Sequence, residues 1–553
     1  MSLPLLSALV ITVLTLGYFL YGRFIASQYR IDDARRCPSE EVNDGEDFVP
    51  TKPFYLLGQH FSAIAAAGPI VGPIAACVAF GWLPCVLWIG LGVVFIGAVH
   101  DFSALIASVR HKAMSIAEIV KSNLGRRAWL AILSFIWIAL VYVIVAFADV
   151  TAASFKGAIE DMEGMKVTFD KGGAVAFAST AYLLLAIVMG VIQKKWNPPL
   201  WMVTLIFVPA TLGVVWLGTK VSTLLLFSHT SWVVVIMVYC FIASLLPVWL
   251  LLQPRGYLGG FVLYMALAIG VIGIFFGGFK IEQPAFKGWT DPDTKDALFP
   301  FLFVTIACGA CSGFHGLVCS GTTSKQITRE SHCQPVGYGA MLLEAFVALV
   351  ALATVLIVTP KQGTPAGAIY GEGMGRFLTV LIGPKHQTFA TVFGTMVFST
   401  FVFDTLDVAT RLGRYILQEL TGRKGRAAAA FATLVMTAVP LVLLLAAGPG
   451  SWKKYWTLFG TSNQLLAALT LLAITVWLRK EKRPYWFTLL PMVFVMAITV
   501  WSLGLQAVSA FRQPMGFRPE TINGVVSVLL AVLSAYLGVE AVRQTVRPAA
   551  GPA

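Results

Sequence analysis

Charge is what this sequence has least of. Asp, Glu, Lys and Arg together make up 12% of its 553 residues, about half the share usual in soluble proteins. A water-soluble body needs polar surface to coat it, yet 58% of the chain is A, V, I, L, M, F, W, Y or C. A mean hydropathy of +0.79 agrees. A soluble enzyme, a secreted domain and a nucleic-acid binder are excluded. No polar stretch is long enough for an extramembrane domain, and low-complexity sequence is confined to the alanine run near 427–430. Cysteine is also scarce. Most of the eight (Cys37, Cys77, Cys85, Cys240, Cys308, Cys311, Cys319 and Cys333) lie in apolar segments, which suits packing and not a disulfide framework.

Apolar runs take up the chain instead. Between charged or Gly/Pro-rich breaks they fall at 4–22, 56–81, 83–108, 128–152, 174–192, 199–218, 230–252, 257–279, 298–321, 336–359, 387–410, 427–447, 456–478, 485–508 and 522–545. About 20 apolar residues cross a bilayer as a helix. The sequence therefore predicts an all-α polytopic membrane protein with about fifteen spans. The first run has no basic residue ahead of it and no small-residue cleavage site, which predicts a retained anchor. With the N-terminus outside, inward loops hold 26 of the 40 Lys and Arg. Positive charge collects on the cytoplasmic side, so the expected topology is N-terminus out, C-terminus in. The net charge of +13 then reports topology and not a polyanionic ligand. Segment 367–382 reads as a short surface helix. Trp129, Trp196, Trp452, Tyr455, Trp456, Tyr485 and Trp486 read as anchors at the membrane interface.

Backbone groups in lipid must be satisfied within the helix, so a broken helix marks a protein-lined or wet site. The clearest break is GPIVGP, Gly68 to Pro73. Pro69 and Pro73 leave the carbonyls of Ala65 and Pro69 without donors, while Gly68 and Gly72 let a ligand approach the backbone. Free carbonyls there can hold a cation, and the N-terminus of the resumed helix can hold a carboxylate. A second break is IACGACSGFHGLVCSGTTSK, Ile306 to Lys325, with Ser312, Gly313, Ser320, Thr322 and Thr323. In it Cys308, Cys311, His315 and Cys319 share one face at helical spacing. A zinc site is geometrically conceivable there, but close helix packing is the preferred reading and no metal is assigned. A weaker third break lies at Pro247 and Pro254.

Ionisable residues inside spans are functional candidates by default. Here they are His60, Asp101, Asp149, His315, Glu344, Asp404 and Asp407. Counting along the helices puts His60, Asp101, His315, Glu344 and Asp404 in the cytoplasmic half, an arrangement that suits a proton relay. Asp404, Asp407, Arg411 and Arg414 form one stripe, in which Asp407 and Arg411 make an acid-first i,i+4 pair. Asn463 and Gln464, in FGTSNQLLAAL, read as a polar helix contact or part of a binding wall.

The phrases DDARRCPSEEVNDGEDFVPT, GQHFSAIAAAGPIVGPIAA, GAVHDF, LPVWLLLQPRGYL, IACGACSGFHGLVCSGTTSKQI, STFVFDTLDVATRLGRYILQE and WTLFGTSNQLLAAL resemble, in order and from about residue 32 to 469, the carbon starvation protein A (CstA) family. The departures are local: family members read more like GHHF and AVQDF around Gln59-His60 and His100-Asp101. The resemblance implies an inner-membrane secondary transporter for short peptides or pyruvate, used when carbon is limiting and coupled to protons or sodium. It implies no cofactor. It also implies a five-plus-five inverted-repeat core at 56–425, with repeats near 56–218 and 230–425. Residues 1–55 would be an anchor helix and cytoplasmic linker, and 426–553 additional helices. In that setting Gly68, Pro69, Gly72, Pro73, Pro247, Ser312 and Gly313 are the substrate-binding candidates. His60, Asp101, His315, Ser320, Thr322, Thr323, Glu344 and Asp404 are the ion-coupling candidates. A channel or nutrient sensor is the alternative, though no loop could house a signalling domain. An intramembrane enzyme lacks any nucleophile–base pair, and the oligomeric state is left open by the sequence.

Overall fold

The computed structural model describes residues 1–44, 48–65, 67–157, 169–448, 450, 452–514, 516 and 518–546. Side chains are described to residue 544, and residues 158–168, between two of the expected spans, lie outside this set. The regular secondary structure among the described residues is helical apart from one isolated bridge between Thr290 and Ala297. Twelve helices of 21 to 38 residues are long and apolar enough to cross a membrane. At about 1.5 Å per residue each exceeds the roughly 30 Å hydrocarbon core. A thirteenth span is a bent pair, Pro53–Ile64 with Gly68–Phe80. The two other expected spans are shorter or broken. His229–Leu245 has 17 residues, and 298–321 divides into Leu298–Thr305 and Gly313–Gly321.

The helices that carry the residues of interest are α1 (Pro53–Ile64), α2 (Gly68–Phe80), α3 (Ala98–Arg110), α4 (Arg126–Phe155) and α5 (Lys171–Trp196). After these come α6 (His229–Leu245), α7 (Leu252–Phe276), α8 (Leu298–Thr305), α9 (Gly313–Gly321) and α10 (Ala340–Leu356). The last are α11 (Ala366–Ile382), α12 (Gln387–Thr421) and α13 (Trp452–Lys480). Two of these helix starts show side-chain capping. Asp170 accepts from the Gly173 amide at 2.6 Å ahead of α5, and Ser228 from the Ser231 amide at 3.1 Å ahead of α6. Each satisfies an amide that has no partner in its own helix.

The chain forms two compact units. One comprises Met1–Ser7, Leu140–Ala285 and Val350–Trp456; the other comprises Ala8–Ala139, Phe286–Leu349 and Thr457–Ala553. In the first unit, 367–382 is not a surface helix. Gly367, Gly371 and Gly375 recur every four residues on α11 and are buried. A Cβ at Gly375 would lie 2.9 Å from the Thr391 amide, and one at Gly371 would lie 3.0 Å from the Thr395 amide. The glycine face therefore lets α12 pack backbone to backbone, as small residues do in membrane bundles. The expected interface anchors near 452–456 are buried as well. Tyr455 packs on Tyr142, and Trp456 packs edge-on against Phe147. An aromatic near a span end is an anchor only where no neighbouring helix covers it.

In the second unit, two wide-turn π-helical segments, Trp88–Gly97 and Gln334–Gly339, lead directly into α3 and α10. The Tyr338 hydroxyl donates to the Val94 carbonyl at 2.8 Å and so ties one π segment to the other. Such segments occur often at functional sites. Sequence periodicity gives no sign of them.

Candidate functional site

The breaks fall beside the expected positions. α1 ends at Ile64 and α2 starts at Gly68, so the interruption precedes GPIVGP. Pro69 sits in the first turn of α2, where a missing N–H costs nothing, and Pro73 is carried inside the helix. Neighbouring chain, not open space, lies against the glycines. A Cβ at Gly68 would overlap Cys308, and one at Gly72 would lie 2.6 Å from the Thr305 carbonyl. The second break occupies 306–312, between α8 and α9. Cys308 and Cys311 lie in that non-helical stretch. They therefore do not share a helix face with His315 and Cys319, and the wheel geometry behind the zinc alternative does not exist.

Asn463 on α13 closes the second break. Its Oδ1 accepts from the Phe314 amide at 2.9 Å and the Ser312 hydroxyl at 3.3 Å. Its Nδ2 donates to Ser312 Oγ at 3.0 Å and to Cys308 Sγ at 3.2 Å. Gln464 donates to the Phe303 carbonyl at 2.9 Å. Both amides serve the polar helix contact, satisfying backbone that the break leaves bare. Gly313 packs close to the same helix, its Cβ position 2.6 Å from the Ala467 amide.

Five of the ion-coupling candidates, His60, Asp101, His315, Thr323 and Glu344, come together in this unit. His315, one turn into α9, is 1% exposed, and Asp101 and Glu344 are 0% exposed. His315 Nδ1 lies 2.8 Å from Asp101 Oδ2, and Nε2 lies 3.0 Å from Glu344 Oε2. The second contact is close without hydrogen-bond alignment, and both Glu344 oxygens lack an aligned donor. Asp101 Oδ1 faces His100 Nδ1 at 2.7 Å, which leaves His100 Nε2 without a partner. His60 completes the group: its Nδ1 lies 2.8 Å from Thr323 Oγ1 and its Nε2 3.7 Å from Cys319 Sγ. Cys319 in turn donates to the Asp101 carbonyl at 3.5 Å. An imidazole with a carboxylate at each nitrogen must hold protons on both, or share the second with Glu344. Such an arrangement is chemically able to hold a proton between His315 and Glu344.

The other hydroxyls of the second break have structural partners. Ser320 donates to the Gly316 carbonyl at 2.7 Å and accepts from the Ile116 amide at 3.1 Å. Thr322 donates to the Val318 carbonyl at 3.2 Å.

Asp404 does not join this group. It lies in the first unit, on α12, with Arg255 of α7. Arg255 Nη2 is 2.5 Å from Asp404 Oδ1, and Nη1 pairs with Asp407. The expected Asp407–Arg411 pair is replaced: Arg255 takes Asp407, while Arg411 donates to the Ala243 and Leu246 carbonyls, each at 2.9 Å. Arg414 donates to the Ser244 carbonyl at 2.6 Å. Pro247 stands in the turn after α6, and these two arginines satisfy the bare carbonyls at that helix end, where cations are favoured. Asp149 accepts from the Trp452 amide at 2.6 Å and lies 2.9 Å from His229 Nε2.

Arg255 is the main residue that sequence reasoning missed. It reads as a loop cation in QPRGY, yet it lies in the first turns of α7 and is 0% exposed. The available signal was Pro254, a residue tolerated near the start of a helix. His100 was visible only as the neighbour of Asp101.

Long apolar helices, some of them broken, with buried charged groups between them define a polytopic membrane protein. The sequence profile of carbon starvation protein CstA matches residues 3–368 and 361–502, and the chain belongs to that family. It is 31% identical to the pyruvate/proton symporter BtsT of Escherichia coli K12, over 92% of this chain and 82% of that protein. It is 33% identical to the peptide transporter CstA of Campylobacter jejuni, over 91% and 80%. The peptide transporter CstA of Bacillus subtilis is 30% identical over 96% and 95%. Among solved structures, the Eremococcus coleocola manganese transporter aligns over 91% of this chain and 99% of its own, at 11% identity and TM-score 0.46.

Proposed function

We propose that the protein is a secondary transporter that imports short peptides or pyruvate across the bacterial inner membrane together with a proton. The observation that carries this reading is His315, buried at a helix break with a carboxylate at each ring nitrogen. A hard cation such as sodium takes a shell of oxygen ligands. Imidazoles at the centre of the cluster favour a proton instead. His60, Thr323, Asp101 and Glu344 would relay or hold that proton. The breaks between α1 and α2 and between α6 and α7 open the proposed inverted repeats and supply half-helix ends. The N-terminus is proposed to face outward. Burial removes Arg255 from the inner-loop count but leaves the charge bias in place.

Uptake into proteoliposomes under separately imposed proton and sodium gradients tests the reading, with di- and tripeptides compared against pyruvate. Accumulation should follow the proton gradient and ignore sodium. Uptake indifferent to both gradients would contradict coupled transport.

A further inference from the structure

The first unit holds a second buried charge cluster, built around a permanent cation. Arg255 Nη1 donates to the Tyr239 hydroxyl at 2.9 Å, to the Phe403 carbonyl at 3.1 Å and to Asp407. Tyr239 donates to Asp407 Oδ2 at 2.8 Å, so Asp407 is held from two sides. Asp404 is held less well. Its side chain is 22% exposed, against 4% for Asp407 and 0% for Arg255. The Nη2 contact to Asp404 is close but not aligned, and both Nη2 and Nε of Arg255 lack an aligned acceptor. Buried guanidinium donors without acceptors are costly, and a fork of N–H groups fits a carboxylate better than a single oblique oxygen does.

Asp404 packs closely against a glycine of α7. Gly259 stands one turn beyond Arg255 on α7, and a Cβ there would lie 3.0 Å from Asp404 Oδ2 and 3.5 Å from the Tyr182 hydroxyl. Tyr182 donates to the Arg255 carbonyl at 2.9 Å, which fixes the first turns of α7. The charged and titratable groups around Asp404 are Arg255, Asp407, Tyr182 and Tyr239. Arg411 and Arg414 are engaged at the end of α6.

We propose that Arg255 binds the carboxylate of the transported molecule, and that Asp404 is the internal anion that releases the guanidinium by taking up a proton. The proposal rests on the coupled-import reading and names the recognition group within it. Short peptides and pyruvate differ in size and shape but share a carboxylate. The charge balances. With both acids ionised, Arg255, Asp404 and Asp407 sum to one negative charge. When one proton from solution binds an Asp404 oxygen and one substrate carboxylate docks on Arg255, the sum is unchanged. For pyruvate, anion and proton therefore enter together with no added charge in the low-dielectric interior, where net charge is most costly; a zwitterionic peptide brings its ammonium charge in addition.

The test uses the full chain in proteoliposomes and needs no variant at first. Unlabelled pyruvate and dialanine compete for uptake of their labelled forms, against pyruvamide and dialaninamide, which keep shape but lose the carboxylate. The amides should compete at least about tenfold more weakly. Next, Asp404→Asn should remove the dependence of substrate affinity on external pH, while Arg255→Lys should raise KM at least about tenfold. Amides competing as well as the acids overturn the proposal, as does Asp404→Asn retaining the full pH dependence of affinity. In either case proton-driven uptake by the unaltered chain leaves the coupled-import reading standing. An unaltered chain that moves neither substrate under any gradient overturns both.

Discussion

The two buried clusters share a plan, one cation between two carboxylates, and differ in the cation. In the second unit it is His315, which can give up its charge; in the first it is Arg255, which cannot. The surroundings differ to match. Asp101, His315 and Glu344 are all within 1% of complete burial, whereas Asp404 keeps 22% of its side-chain surface exposed. A sealed titratable cation suits storing a proton. A permanent cation beside a half-free acid suits exchanging one anion for another. Similar charge composition is thus consistent with two tasks, and the difference lies in which partner can change its state.

The largest expected effect separates the two cations on stability. Arg255→Met strands Asp404 and Asp407 without their partner and should cost about 3–5 kcal/mol, read as a fall in unfolding temperature in detergent. Adding Asp404→Asn and Asp407→Asn should recover most of that loss. If the single variant melts like the unaltered protein, the permanent cation is not what holds that cluster.

His315→Gln sharpens the functional side of the comparison. Glutamine can still donate to one carboxylate but cannot carry the second proton. Gradient-driven accumulation should fall by about 10²-fold or more, the range ascribed to positioned proton-transfer groups, while substrate counterflow persists. Loss of both activities together would make His315 a structural residue.

Asn463→Ala tests the framework under the titratable cluster. It leaves the buried Phe314 amide without an acceptor and should cost about 1–3 kcal/mol. An unchanged melting temperature would mean that the break needs no closure. The smallest contrast is between two glycines. Gly72→Ala drives a Cβ to 2.6 Å from the Thr305 carbonyl and should cost about 1–3 kcal/mol. Gly256→Ala, with nothing within 4 Å, should be neutral or stabilise the helix by up to about 1 kcal/mol.

All fifteen apolar runs contain helix, because length and hydropathy dominate wherever a chain must satisfy its backbone in lipid. What the sequence misplaced depends on partners distant in the chain. Arg255 read as a loop cation because its neutralising acids lie about 150 residues away. The i,i+4 spacing of Asp407 and Arg411 was sound, but bare carbonyls at the end of α6 compete for Arg411. The cysteine wheel assumed a continuous helix through 306–312, which the Asn463-held break interrupts. His60, Asp101, His315 and Glu344 were each conspicuous as ionisable residues in spans. Their meeting was not legible, since it depends on how α1, α3, α9 and α10 pack.

The most direct measurement follows the proton itself. A pH-sensitive dye enclosed in proteoliposomes reports the interior while pyruvate or dialanine is added outside, with no gradient imposed and membrane potential clamped. Coupled import predicts that the lumen acidifies with substrate entry in the unaltered protein. It also predicts that His315→Gln abolishes this acidification while exchange of substrate continues. Substrate entry without acidification, or equal acidification by the variant, would contradict a proton held on the Asp101–His315–Glu344 cluster.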